Sequence, residues 1–328
     1  MTKNSENEAC PFKTSIGGQA LLEGILMRGP EKQAIVCRLS DGTLQDKVEE
    51  VKPNPLAKIP FLRGVPVFLS SMVRGMEAVT YSAGLLPEEE QGEPDKLDLW
   101  LERHLGSEKA QKAVIGVAVV LGLALSVGLF VLLPAFFYSL LPDSIHLVLR
   151  CLMEGAVRIV IFLLYLWLMT RLGDMKRLFA YHGAEHKSIF CYEKGLPLTV
   201  ENVRRQSRFH PRCGTSFLVV TMLMAILVVS VMTWVLSLIP GVAALSRVPA
   251  TLVRILGKLI VLPIIVSVTY ELNRWVGRHD GNPLARAAAW PGKQIQHLTT
   301  REPDDSMIEV AIAALKLVIP EQKGADAW

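Results

Sequence analysis

Two histidines four positions apart, with a glutamate directly before the second, stand in the stretch YHGAEHK from Tyr181 to Lys187. On a helix, positions i and i+4 share a face, so His182 and His186 can hold one metal ion with Glu185 beside them. A second cluster, RFHPRCGTSF, places His210 and Cys213 three positions apart, just before an apolar run. Imidazole and thiolate are good ligands for zinc, and in H-x-x-E-H the glutamate can serve as the catalytic base. The expected site is therefore a divalent-metal centre, zinc by donor type, with His182, His186, His210 and Cys213 as ligands and Glu185 as the catalytic group. Glu271 is expected at a similar depth, as a further ligand or a partner for a histidine. Glu23 and Arg28, in GGQALLEGILMRG, are expected to approach from the same side. The competing reading makes the histidines hydrogen-bonding groups at a helix–membrane junction and Cys213 a small buried residue.

The elements that must position these groups are membrane elements. Hydrophobic residues make up 51% of the 328-residue chain and charged ones only 20%, with a mean hydropathy of +0.34. The excess is concentrated in four stretches, at about 113–141, 146–170, 216–239 and 250–272. Each is long enough for the roughly 20 residues of a spanning helix. The polar loop 171–215 carries nine Lys or Arg, whereas the short links beyond the first and third stretches hold only Arg247. The positive-inside rule therefore puts that loop and both termini in the cytoplasm. Arg103, Lys109 and Lys112 before the first stretch agree, as do Arg274 and Arg278 after the fourth. Trp167 and Trp275 mark the cytoplasmic boundary and Trp234 the outer one. Within the loop, Gly195-Leu-Pro197 stops one helix and Thr199 caps a short second one, a hairpin that can return His210 and Cys213 toward His182 and His186.

The fold class expected is an α-helical integral membrane protein with four transmembrane helices, a small cytoplasmic α+β N-terminal region and a long cytoplasmic helical loop. Residues 1–60 form the strand-containing part, with Asp41-Gly42 as a hairpin signal between two β-rich runs. Residues 61–112 supply an amphipathic segment at the membrane interface and an acidic linker, LLPEEEQGEPDK. The bundle occupies 113–272, and 273–328 is a cytoplasmic tail with an ordinary amphipathic helix capped by Asp304 or Asp305. The polar N-terminus, MTKNSENEACPFK, has no apolar core of a secretory leader, so insertion is expected from the internal spans. Five scattered cysteines (Cys10, Cys37, Cys151, Cys191, Cys213) form no CxxC pair, which fits a reducing compartment. A net charge of +4, spread over a membrane chain, argues against nucleic-acid binding.

Arg150, Glu154 and Arg158 repeat every fourth position, and Arg254 and Lys258 form a similar pair. Bare charges in a bilayer are costly, so these five are expected to face the bundle interior around Glu154, leaving a positive surplus for an anionic ligand or headgroup.

Taken together, IGGQALLEGILMRGP, YHGAEHKSIFCYE, RFHPRCGTSFLVV and LTTREPDDSMIEVAIAAL resemble the YqhQ-like family of bacterial integral membrane proteins, in order and over nearly the whole chain. The resemblance implies a bacterial cytoplasmic (inner) membrane location and a metal-dependent enzyme, with His182, Glu185, His186, His210 and Cys213 in the family's signature. It supplies no substrate. The leading expectation is hydrolysis of a lipid or membrane-associated molecule at the cytoplasmic face. The alternative is a non-enzymatic protein that docks on another integral membrane complex, and a homo-oligomer is open under either. A transporter would need more than four spans or oligomerisation, and no internal repeat is visible.

Overall fold

The computed structural model describes residues 12–52, 59–86, 107–142, 144–279, 281–322 and 324–327. Cys10, Arg103 and the acidic linker beyond Leu86 lie outside them. The chain divides into two compact units, Met1–Leu86, Leu166–Met224 and Pro263–Trp328 in one, and Pro87–Tyr165 and Ala225–Leu262 in the other.

The first unit is organised by an antiparallel meander, β1 (Gly17–Leu21), β2 (Gly24–Arg28), β3 (Lys32–Arg38) and β4 (Leu44–Glu50), in that order. The Asp41-Gly42 hairpin forms as expected: Arg38 faces Leu44, and Gly42 takes the positive φ of 83° that favours glycine. The upstream glycine-rich stretch also becomes a hairpin, Leu21 opposite Gly24. Side-chain alternation splits the central strands between two faces. Ile25, Met27, Ala34 and Val36 point to one core, while Leu26, Ile35 and Cys37 point to another.

Helix α1 (Gly64–Gly84) covers the second face through Ala78, with Tyr81 beside it. The helices that follow are α2 (Ser107–Val127), α3 (Leu133–Leu140), α4 (Leu147–Met169) and α5 (Gly173–Glu193). Next come α6 (Val200–Arg204), α7 (Gly214–Ser237), α8 (Pro240–Ala243), α9 (Arg247–Arg278), α10 (Pro283–Thr299) and α11 (Asp305–Val318). The first sheet face is covered by α5 and α11. Helix α11 is therefore more than an ordinary surface helix: Ile308, Val310, Ala311, Ala314 and Leu315 are fully buried. Asp304 caps it as expected, its carboxylate accepting from the Met307 N–H at 3.0 Å. Thr199 likewise caps α6, accepting from the Asn202 N–H.

Among the described residues, three helices are long and apolar enough to cross a membrane: Gly116–Leu140, Gly214–Ser237 and Val248–Arg278. This is the pattern of a membrane protein. Val120, Leu121, Leu123 and Leu125 are 63–65% exposed, so the first presents large apolar side chains outward. The stretch expected as the second of four spans forms α4, which carries Arg150, Glu154 and Arg158 and is not among those three.

The second unit contains a backbone irregularity with a sequence cause. Pro134 has no N–H to offer the carbonyl four residues earlier, and the helix passes through a π turn at Gly128–Leu132. The Phe130 carbonyl accepts instead from Arg158 Nε at 3.0 Å.

Candidate metal centre

Helix α5 places His182 and His186 one turn apart, with ring centroids 4.4 Å from each other. Cys213, at the entry to α7, brings its sulfur to 3.2 Å from His182 Nε2. One ligand atom from each of His182, His186 and Cys213 lies within 4.8 Å of the others. The orientation of both rings is fixed from behind. His182 Nδ1 is 2.8 Å from the Thr299 carbonyl, and His186 Nδ1 is 2.5 Å from the Arg208 carbonyl. A carbonyl only accepts, so each neutral ring carries its proton on Nδ1 and keeps a lone pair on Nε2. Metal-ligating histidines are held in this way, by a hydrogen bond from the other ring nitrogen.

Two glycines let the backbone come close enough. Arg301 N–H donates to the Phe179 carbonyl at 2.8 Å, laying the Thr299–Arg301 segment along α5. A Cβ on Gly183 would sit 2.0 Å from the Arg301 carbonyl oxygen, so only glycine admits that approach. On the other side, the Gly18 N–H donates to Glu185 Oε1 at 3.0 Å. A Cβ on Gly18 would stand 2.7 Å from the Leu26 oxygen and 3.0 Å from the Glu185 carboxyl carbon.

Glu185 is 5% exposed, and its second oxygen, Oε2, is buried with no hydrogen-bond partner. Such an atom in a native interior calls for an explanation. Burial raises the Glu185 pKa against the pull of His182 and His186. For Cys213, burial favours the thiol, but the neighbouring His186 and His182 outweigh it and hold the pKa well below the ordinary value. Burial also opposes the charging of His182, yet the Cys213 thiolate prevails and takes it up to about 9. Two other described thiols of this unit behave differently: burial pushes Cys37 up to about 12 and Cys191 up to about 11, as for inert core cysteines.

A divalent metal fits this donor set. Two Nε2 atoms and a readily ionised thiol converge, and three protein ligands with a position left open is the arrangement of catalytic zinc. The unpartnered Glu185 Oε2 lies on the same helix.

The other expected ligands are placed elsewhere. His210 stacks near His186, with centroids 5.5 Å apart, but its Nε2 faces Glu193 Oε2 at 3.7 Å. Its backbone is clamped by Gln296, which accepts from the His210 N–H and donates to the His210 carbonyl, both at 2.7 Å. Burial drives His210 down to about 4 despite Glu193, so the ring is neutral at neutral pH. Burial works to raise Glu193, but His210 and the paired Arg212 lower it. Glu271 is not brought to the trio. Arg63 holds both of its oxygens, at 2.7 and 2.6 Å, and the Phe61 N–H donates to it at 3.1 Å. Glu23 lies against α5 and accepts from Arg177 at 2.5 and 2.6 Å and from the Tyr181 hydroxyl at 3.2 Å. Arg28 ends β2, partly buried.

Sequence reasoning missed Gly18, Gly183, Gln296 and the carbonyls of Thr299 and Arg208. The signal available was the LTTREPDD run, whose role is to supply main chain rather than side chains.

In the second unit these charged residues lie close together. Glu154 accepts from Arg158 at 3.1 Å and pairs closely with Lys258, and these side chains are 7–12% exposed. The Arg150 and Arg254 guanidiniums lie 4.7 and 4.6 Å from the Tyr138 ring centroid.

Against known proteins, no solved structure matches the chain. The chain is 31% identical over 306 residues to the uncharacterized protein YqhQ of Bacillus subtilis (strain 168), covering 90% of this chain and 89% of the relative. A family model described as "Protein of unknown function (DUF1385)" matches residues 59–321, and the chain belongs to that YqhQ-like family.

Proposed function

We propose that this chain is a hydrolase of the bacterial cytoplasmic membrane, acting on a lipid or membrane-associated substrate, with a divalent metal held by His182, His186 and Cys213. Zinc is the metal this imidazole and thiolate set favours. The observation that carries the reading is the pair of Nδ1 anchors on the Thr299 and Arg208 carbonyls, which turns both Nε2 atoms toward an acidic thiol. When bound, such a metal polarises a carbonyl or phosphoryl group and makes water nucleophilic.

Glu185 is the proton carrier. Its Oε1 is held by the Gly18 N–H, which fixes the carboxyl, and Oε2 is the atom that takes and returns a proton. Burial raises its pKa toward the working pH, where a carboxyl serves as base and then as acid. His210 holds the loop in place from its seat between Glu193 and Gln296.

In this reading α4 is a fourth span, and the nine Lys and Arg of residues 171–215 place that loop and both termini in the cytoplasm. The apolar face of α1, with Leu69, Met72 and Val73 54–58% exposed, rests on the membrane surface from which the substrate comes.

Plasma mass spectrometry on detergent-purified protein tests the metal. About one zinc per chain is expected, lost in the His182→Ala/His186→Ala variant. No stoichiometric metal, or unchanged metal in the variant, overturns the proposal.

A further inference from the structure

Helix α10 keeps one side for the interior of the first unit and turns the other outward. Ala285, Ala289, Gly292, Ile295, Gln296 and Thr299 are its buried residues, and at about 100° per residue they share one face. The exposed arc runs from Leu284, Pro291 and Ala287, through Trp290, to Arg286 and Lys293. Leu284 is 72% exposed and Trp290 61%. The helix carries two cations of this kind and no carboxylate.

Two packed contacts fix the depth at which α10 lies. Its first half packs on the end of α9, with Ala285 and Ala289 against Val276 and Leu272 beside them. Its second half crosses the start of α7. There a Cβ on Gly292 would stand 2.5 Å from the Ser216 Cβ, and Gln296 Nε2 donates to the Ser216 hydroxyl at 3.2 Å. Ser216 lies in the first turn of the apolar helix Gly214–Ser237, and Leu272 and Val276 lie in the last turns of Val248–Arg278. At 31 residues the latter is about 46 Å long, against a hydrocarbon core of about 30 Å, leaving about 16 Å of helix for the headgroup layers. A helix tied to both of these ends lies along the membrane surface. Trp275, 38% exposed near the end of α9, stands at the same level.

An apolar edge, a tryptophan and a cationic edge, in that order, form the pattern of an interfacial helix. Indole belongs at the headgroup boundary, and Lys and Arg meet anionic headgroups there. The bilayer around α7 and α9 is the occupant that the chain itself brings to this face.

We infer that α10 docks on the anionic lipid surface beside these spans, with Leu284 and Ala287 at the acyl boundary and Arg286 and Lys293 on lipid phosphates. The same helix also frames the candidate metal centre, through the Thr299 carbonyl at His182 and Gln296 at His210. The docking stands whether or not those side chains bind a metal.

Trp290 emission, taken as the wild-type signal less that of Trp290→Phe, reports the occupant in the full chain held in lipid nanodiscs. Phosphatidylglycerol brominated near the top of its acyl chains is expected to cut that signal about twofold, with aqueous acrylamide having little effect. Arg286→Gln/Lys293→Gln should bring the loss down to the level seen in brominated phosphatidylcholine, and the charge-conserving Arg286→Lys should keep it. These positions are exposed, and an unchanged melting temperature confirms that each variant is folded. A Trp290 open to acrylamide and untouched by brominated lipid overturns the inference. Quenching equal in the two lipids and unchanged in the double Gln variant also overturns it. Protection from both quenchers, in a chain that runs as a dimer or with a second protein, gives the face to that partner and overturns it too.

Discussion

The Gly18 N–H donates to Glu185 Oε1 at 3.0 Å, joining the first strand to the middle of α5 across 167 positions of sequence. The bond fixes one carboxylate oxygen and leaves the other buried and unpartnered. A Gly18→Ala substitution tests it. The new Cβ would meet the Leu26 oxygen at 2.7 Å, so β1 must shift and the bond to Glu185 weakens. The expected cost is about 1–3 kcal/mol, with metal content retained. Thermal unfolding and zinc analysis on one sample check both, and unchanged unfolding contradicts the tight approach.

Gly183→Ala is expected to be harsher, because its Cβ would come within 2.0 Å of the Arg301 carbonyl and neither backbone can yield cheaply. The Thr299–Arg301 segment would lift from α5 and take the His182 anchor with it. A loss of about 3 kcal/mol or more and little folded protein are expected on size-exclusion chromatography. Wild-type stability would refute the contact.

Acid should destabilise the first unit through His210 and Glu193. His210 is held down to about 4 from 6.5, so unfolding takes up a proton between those values. Its contribution is fully present above pH 6.5 and is lost as pH falls toward 4. Glu193, also lowered, contributes above about 4.5 and loses that contribution on further acidification. Both act in the same direction. The melting temperature should therefore fall steadily from pH 6.5 to 4, and His210→Gln should flatten the upper part of that slope. A flat wild-type profile contradicts the buried neutral ring.

Glu154→Leu should cost about 3–5 kcal/mol, because it leaves Lys258 and Arg158 buried without their carboxylate. Adding Lys258→Leu should restore part of that loss. Chemical unfolding in detergent measures both, and a double variant worse than the single one contradicts the pairing.

How much was legible follows from range. The i, i+4 histidines, the Asp41-Gly42 hairpin and the Asp304 cap are local patterns, and each formed where the sequence placed it. The partnership of Cys213 with His182 was readable from residue type and the helix–turn–helix between them. The carbonyl anchors were not, since a backbone acceptor has no residue signature. Nor was the fate of Glu271, which depends on Arg63, 208 positions away, arriving at the start of α1. His210 was drawn off by Glu193, a residue the motif spacing passes over. Helix α11 looked like a surface helix because its apolar pattern does not reveal that the sheet and α5 cover it together.

The central claim is that His182, His186 and Cys213 share one divalent metal. X-ray absorption at the zinc edge of the purified full chain tests it most directly, because sulfur and nitrogen scatter distinguishably. The account predicts one sulfur together with imidazole nitrogens around the metal, and loss of the sulfur in Cys213→Ser with the imidazoles retained. A shell of oxygen alone, or a sulfur that survives Cys213→Ser, would contradict it.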